Sequence, residues 1–195
     1  MSRPGKAHLK WSFAKLVGAV IAVIKIETPV SARVINNLKI GDQIEIYGRV
    51  ICGRDAVLPK LVELFRKGRL SSLNVNLEGA VIFHTAVSRA GIGPTTSNKV
   101  EIQESIPDLS QAGVKIHLGK GTLGNDTVRA LKQRQSIFAV TPPVSALFSD
   151  RTVTRKVVAF KEEGMEALFE IQVKGLPAIV AIAHGKNIFS EKPKR

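Results

Sequence analysis

Three short turns constrain this chain more than any other feature: Gly53-Arg54-Asp55, Gly93-Pro94-Thr95-Thr96-Ser97 and Gly119-Lys120-Gly121. Each reads as the point where an apolar β run gives way to a helical pattern. Before the first turn, residues 44–50 alternate apolar and polar side chains, the period of a strand. After it, Leu58, Leu61, Val62 and Phe65 recur at spacings of three and four, which predicts a helix to about Lys67. Asp55 is the expected N-cap, and Pro59 falls in the first turn, where its missing N–H has no intrahelical partner to lose.

The same grammar continues along the chain. Residues 79–85 form a continuous apolar run of the kind covered on both faces of a sheet. Thr96 or Ser97 is expected to cap a helix through Glu104, and residues 114–118 to form a strand. Asn125 or Asp126 is expected to cap a helix through Arg134, followed by a strand over 137–140 that Pro142-Pro143 breaks. Residues 20–26, 152–160, 167–173 and 178–183 read as further β runs. Strand–helix alternation in the middle requires crossovers between parallel strands, so the expected fold is one layered α/β domain with a partly parallel, mixed sheet. Residues 1–25 read as an N-terminal extension or first strand, 26–189 as the domain, and 190–195 as a basic tail.

The formal net charge of +13 invites a nucleic-acid reading. Its placement weakens that reading: the two ends carry most of the excess and leave +5 for residues 27–184. Aromatic residues make up only 5%, with one Trp and one Tyr, so base-stacking platforms are scarce. The nine-residue apolar run 16–24 is too short to span a bilayer, and it lacks a small-x-small cleavage site. One cysteine, Cys52, rules out an intramolecular disulfide and fits a reducing, cytoplasmic setting. Nor can one thiolate hold an iron–sulfur cluster.

Each turn admits a plain reading and a functional one. Glycine permits close backbone approach, and exposed N–H groups at a helix start attract anions. Thr95, Thr96 and Ser97 with Lys99 can therefore hold a small anion, or simply close a capped turn. Lys120, between Gly119 and Gly121, is either a mobile point charge over a carboxylate or a solvated lysine. Arg54 either clamps a carboxylate with two hydrogen bonds or pairs with its neighbour Asp55. Gathered at the carboxyl edge of one sheet, the three together favour a ligand site. His84 and His117 end apolar runs and read as hydrogen-bonded core groups, without metal-ligand spacing. Between Val50-Ile51 and Gly53, Cys52 reads as an inert buried thiol.

In order and spacing, these segments resemble the β subunit of class I (iron–sulfur) fumarases and L-tartrate dehydratases, which is also the C-terminal domain of the fused single-chain enzymes. The matching pieces are Ile26-Glu27-Thr28-Pro29, Leu38-Lys39-Ile40-Gly41-Asp42, Gly53-Arg54-Asp55-Ala56, Leu77-Glu78-Gly79-Ala80, Gly93-Pro94-Thr95-Thr96-Ser97, Gly119-Lys120-Gly121 and Leu176-Pro177-Ala178-Ile179-Val180. The resemblance implies a swivelling β/β/α domain and reversible dehydration of a 2-hydroxydicarboxylate, malate foremost. It implies a separate α subunit carrying a four-iron four-sulfur cluster, and a hetero-oligomer. It places Thr95 as catalytic base and Arg54, Lys99 and Lys120 on the substrate carboxylates, with Gly93, Gly119 and Gly121 supporting the turns. Three positions depart from the family pattern: Lys99 where arginine is usual, Leu58 where histidine is usual, and Pro142-Pro143-Val144-Ser145-Ala146-Leu147 where a glycine/alanine-rich stretch is usual. A non-catalytic member of the same fold is the alternative these departures raise.

Overall fold

The computed structural model describes residues 22–96 and 99–190, without the side chains of residues 99–101. In chain order the elements are β1 (Ile24–Glu27), α1 (Ala32–Asn37), β2 (Gln43–Cys52), α2 (Leu58–Arg66), β3 (Val81–Phe83), β4 (Thr85–Ser88), β5 (Gly91–Thr95) and α3 (Lys99–Gln111). There follow β6 (Ile116–Gly119), α4 (Asn125–Gln133), β7 (Ile137–Val140), α5 (Ser145–Asp150), β8 (Thr152–Ala159), β9 (Leu168–Ala183) and β10 (Lys186–Asn187).

One mixed sheet dominates, in the order β1-β2-β3-β6-β7-β9-β10, with β8 also on β9. Neighbours from β1 to β7 run parallel, as the strand–helix alternation requires. The antiparallel β9 pairs with β7 and also with β2, so the path β2-β3-β6-β7-β9 returns to its start and the sheet closes. At 16 residues β9 is long enough to reach both partners. The hairpin β4–β5 stands outside this sheet as a second, two-stranded one.

Period-two alternation sorts the side chains into layers. Cys52, Val81, Phe83, Leu118, Ile137 and Ala139 fill the closed interior. Their neighbours Ile51 and Ile82 face outward against Leu58, Leu61 and Leu109 of α2 and α3. Phe138 does the same against α3 and α4, with Ile106, Val128 and Leu131. The result is the expected layered α/β architecture: closed strands inside, helices along one outer face. Each fully buried side chain of this size contributes about 1.5–3 kcal/mol.

Several local readings need correction. Asp55 does not cap α2; Val57 holds that position without a side-chain bond, because the Asp55 carboxylate is engaged by Thr96. Gly124, not Asn125 or Asp126, precedes α4, and its N–H is taken by the Gln103 side chain. The helix expected to end at Glu104 runs to Gln111, with Pro107 inside it. Gly93-Pro94-Thr95 is not a free turn: it lies in β5, paired back on β4. The two runs 167–173 and 178–183 are one strand, β9, joined through Gly175 at φ 68°. The Pro142-Pro143 break is followed by α5, where no element was expected; Phe148 anchors it edge-on to Phe83 with ring centroids 5.1 Å apart. The roles read for Val20 and Ile21 in a first strand and for Ser97 as a cap lie outside the described residues.

Candidate active site at the carboxyl edge of the sheet

Register brings the strand ends together. Cys52 pairs with Phe83, Phe83 with Leu118, and Gly119 with Val140. Four parallel strands thus release their chains at one edge, where ligands bind in α/β sheets. Backbone bonds continue past the strand ends: Gly53 donates to Phe83 O (3.2 Å), His84 to Leu118 O (2.9 Å) and Thr141 to Gly119 O (3.1 Å).

The threonine pair arrives at this edge by a detour. Beyond His84 the chain forms the β4–β5 hairpin, with Thr85 opposite Thr95. The Thr85 hydroxyl donates to Gly93 O at 2.7 Å, and Thr96 N–H to His84 O at 3.0 Å. The Ser149 hydroxyl of α5 accepts from Ile92 N–H at 3.2 Å, so the Pro142–Leu147 departure leads into the element that braces the hairpin. Thr95 and Thr96 are both buried. Thr96 donates from Oγ1 to Asp55 Oδ2 at 3.2 Å, which ties the second turn to the first. The Thr95 hydroxyl makes no hydrogen bond with any described residue.

Arg54 does not pair with Asp55. Its Nε donates to both oxygens of Glu166, at 2.8 and 2.7 Å, and Nη2 also meets that carboxylate. Hydrogen bonding to Glu166 raises the guanidinium pKa further above its ordinary value, against the lowering effect of partial burial. Lys120 is different: it is exposed and has no partner among the described residues. Its turn is shaped by Gly121 at φ 74° and by Gly119, where a Cβ would come within 2.9 Å of the Phe138 ring. The side chain of Lys99 lies outside the described part of the structure; its backbone opens α3.

Beneath the edge, His84 Nε2 lies 3.3 Å from His117 Nδ1, and His117 Nε2 lies 2.9 Å from Ser110 Oγ. Burial pushes His84 down to about 3. Burial, and secondarily the neighbouring His84, hold His117 well below its ordinary value. Both rings are neutral, which bears out the core reading. Cys52 is fully buried and its thiol pKa is raised by burial, as expected of an inert thiol.

Three buried side-chain atoms lack a hydrogen-bond partner among the described residues: Asp55 Oδ1, His84 Nδ1 and Thr141 Oγ1. All three belong to residues that follow strands at this one edge. Orphaned polar atoms cost about 1–3 kcal/mol each, so each of the three calls for a hydrogen-bonding group, water or ligand, at this edge.

The profile of the Fumarase C-terminus family matches residues 6–192. The chain belongs to that family. The L(+)-tartrate dehydratase subunit beta of Escherichia coli strain K12 is 31% identical over 180 residues, covering 86% of this chain and 87% of that one. A Methanocaldococcus jannaschii protein provisionally named L(+)-tartrate dehydratase subunit beta is 26% identical over 176 residues, covering 83% and 88%. A Geobacillus stearothermophilus protein provisionally named fumarate hydratase class I is 26% identical over 185 residues, covering 88% of this chain and 34% of its own length. The segments that carry Arg54, Thr95 and Lys120 meet at one sheet edge, and Lys99 follows Thr95 and Thr96 in the chain.

Two parts of the site escape sequence reasoning. Glu166 sits in the run Lys161-Glu162-Glu163-Gly164-Met165-Glu166, where nothing local marks one glutamate as the partner of an arginine 112 positions away. The Asp55–Thr96 bond was masked by the capping role that Asp55 would ordinarily fill.

Proposed function

We propose that this chain is the β subunit of an iron–sulfur hydro-lyase that reversibly removes water from a 2-hydroxydicarboxylate, with malate ahead of tartrate as substrate. One observation carries the reading: a buried threonine pair, a clamped arginine, and a lysine and three buried polar atoms without partners among the described residues gather at one edge. Thr95 acts as the base toward the carbon beside a carboxylate. Arg54, Lys99 and Lys120 bind the carboxylates and stabilise the carbanionic charge that develops on them. A threonine hydroxyl is a weak base until a neighbour relieves it of its proton. Asp55 is hydrogen-bonded to Thr96, not to Thr95, so the carboxylate that activates Thr95 falls to the partner α subunit.

A cluster does not fit this chain. Its one thiol is buried in the apolar interior, and no group of three His, Cys, Asp or Glu among the described residues can hold a metal ion. The cluster and the polarisation of the leaving hydroxyl therefore fall to a partner α subunit, and no step on this chain runs through it. We place the complex in the cytoplasm, where a lone thiol stays reduced; among the described residues no helix is long and apolar enough to cross a membrane.

The test is co-expression with the α subunit, anaerobic purification and assay with malate, fumarate and tartrate. Activity on one of these is expected. A stable, cluster-loaded complex inert toward all three would remove the catalytic assignment.

A further inference from the structure

The short 3-10 segment Lys161–Glu166 follows β8 and is bound to the start of α2 at several points. Glu163 pairs with Lys60, the Lys60 ammonium lies 5.6 Å from the centre of the Phe160 ring, and Glu166 takes Arg54. The manner of that last contact matters. A guanidinium offers two usable edges: a side edge made of Nε–H and one Nη2–H, and an end edge made of the remaining Nη N–H groups. Glu166 occupies the side edge through Nε and Nη2. Nη1 makes no hydrogen bond with any described residue, so the end edge, which has the same carboxylate-matching fork, stays open.

We propose that Glu166 is a positioning residue: it holds Arg54 by its side edge so that the end edge receives one carboxylate of the substrate. This rests on the reading of Arg54 as a substrate-binding residue. The pair is electrically neutral as a whole, so Arg54 contributes planar hydrogen-bonding geometry and little net charge. The net attraction for a dianion falls instead to the lysines, Lys99 and Lys120, of which Lys120 has no partner among the described residues. Shape recognition and charge recognition are thereby divided between the arginine and the lysines.

The division makes a prediction whose sign separates it from simple electrostatics. Glu166→Gln removes a negative charge from the rim of a dianion site, which by Coulomb's law alone strengthens substrate binding. A positioning role requires the reverse. In the complete α–β complex, E166Q raises KM for the dicarboxylate on the order of tenfold while kcat stays within about threefold. Glu166→Asp keeps the charge but withdraws the carboxylate by one methylene; it gives the same direction and serves where E166Q fails to assemble. Combining E166Q with Arg54→Ala raises the KM no further than R54A alone, since the positioning acts only through the arginine. An unchanged or lowered KM in E166Q or E166D, with R54A impaired, overturns the role of Glu166. An R54A enzyme with normal KM overturns both that role and the Arg54 assignment, while leaving the hydro-lyase reading standing. A wild-type complex inert on every 2-hydroxydicarboxylate defeats the functional reading itself.

Discussion

The turn after β2 and the turn after β6 stand at the same sheet edge, yet they are built on opposite plans. Arg54 and Asp55 are tied to Glu166 and Thr96, residues 112 and 41 positions away. Lys120 is tied to nothing described and is exposed between two glycines. The difference follows from the two cations. A planar fork recognises a carboxylate only when its plane is fixed, so its own hydrogen bonds must first be arranged. An ammonium is a compact point charge on a flexible stem and needs no such holding.

The largest test of this contrast is an exchange of the two cations. Arg54→Lys should lower kcat/KM about a hundredfold, because lysine can satisfy neither Glu166 nor the substrate bidentately. Lys120→Arg should cost only a few fold by the same measure. Equal losses at the two positions would erase the distinction.

Acid offers a second test, on the buried pair His84–His117 beneath the shared edge. The folded pKa values of both rings lie below the unfolded value, so below pH 6.5 the unfolded chain binds protons that the folded one refuses. Stability is therefore full above about pH 6.5 and falls as pH drops toward the folded value near 3 for His84. At pH 5 the loss from His84 alone is about 2 kcal/mol, with His117 adding in the same direction, measurable by urea denaturation. A profile flat from pH 7 to 5 would show that neither ring is kept from its proton by the fold.

Gly119→Ala probes the floor of the lysine turn. Its Cβ would meet the Phe138 ring at 2.9 Å, so we expect about 1–3 kcal/mol of destabilisation from overpacking. Thermal melting checks it, and an unchanged melting temperature would mean the ring yields freely. The smallest effect concerns salt. KM for the dianion should rise with ionic strength, and Lys120→Gln should flatten that rise about threefold while R54K leaves it alone. A salt response lost in R54K instead would reverse the assignment of charge to Lys120.

Much of this architecture is legible without coordinates, and the reason is local. A period of two or of 3.6 is visible over a few residues, so α2, β6, β7 and β8 fall close to their expected places. Caps are legible less well, since Asp55 has a competing use that depends on where Thr96 arrives. The β4–β5 hairpin was hidden because Gly93-Pro94 is turn vocabulary whose pairing with β4 is set by a backbone ladder. α5 was hidden because two prolines mask the short helix that follows them.

By itself the sequence determined that parallel strands alternate with helices, that Cys52, His84 and His117 belong inside, and which turns carry cations and hydroxyls. These follow from side-chain periodicity and turn chemistry, which act within a few residues. Only the tertiary structure decided that β9 closes the sheet onto β2, that Glu166 holds Arg54 and Asp55 holds Thr96, and that no described residue holds Lys120. Those outcomes depend on strand order and register, which bring distant residues within hydrogen-bond reach and leave no trace in local spacing.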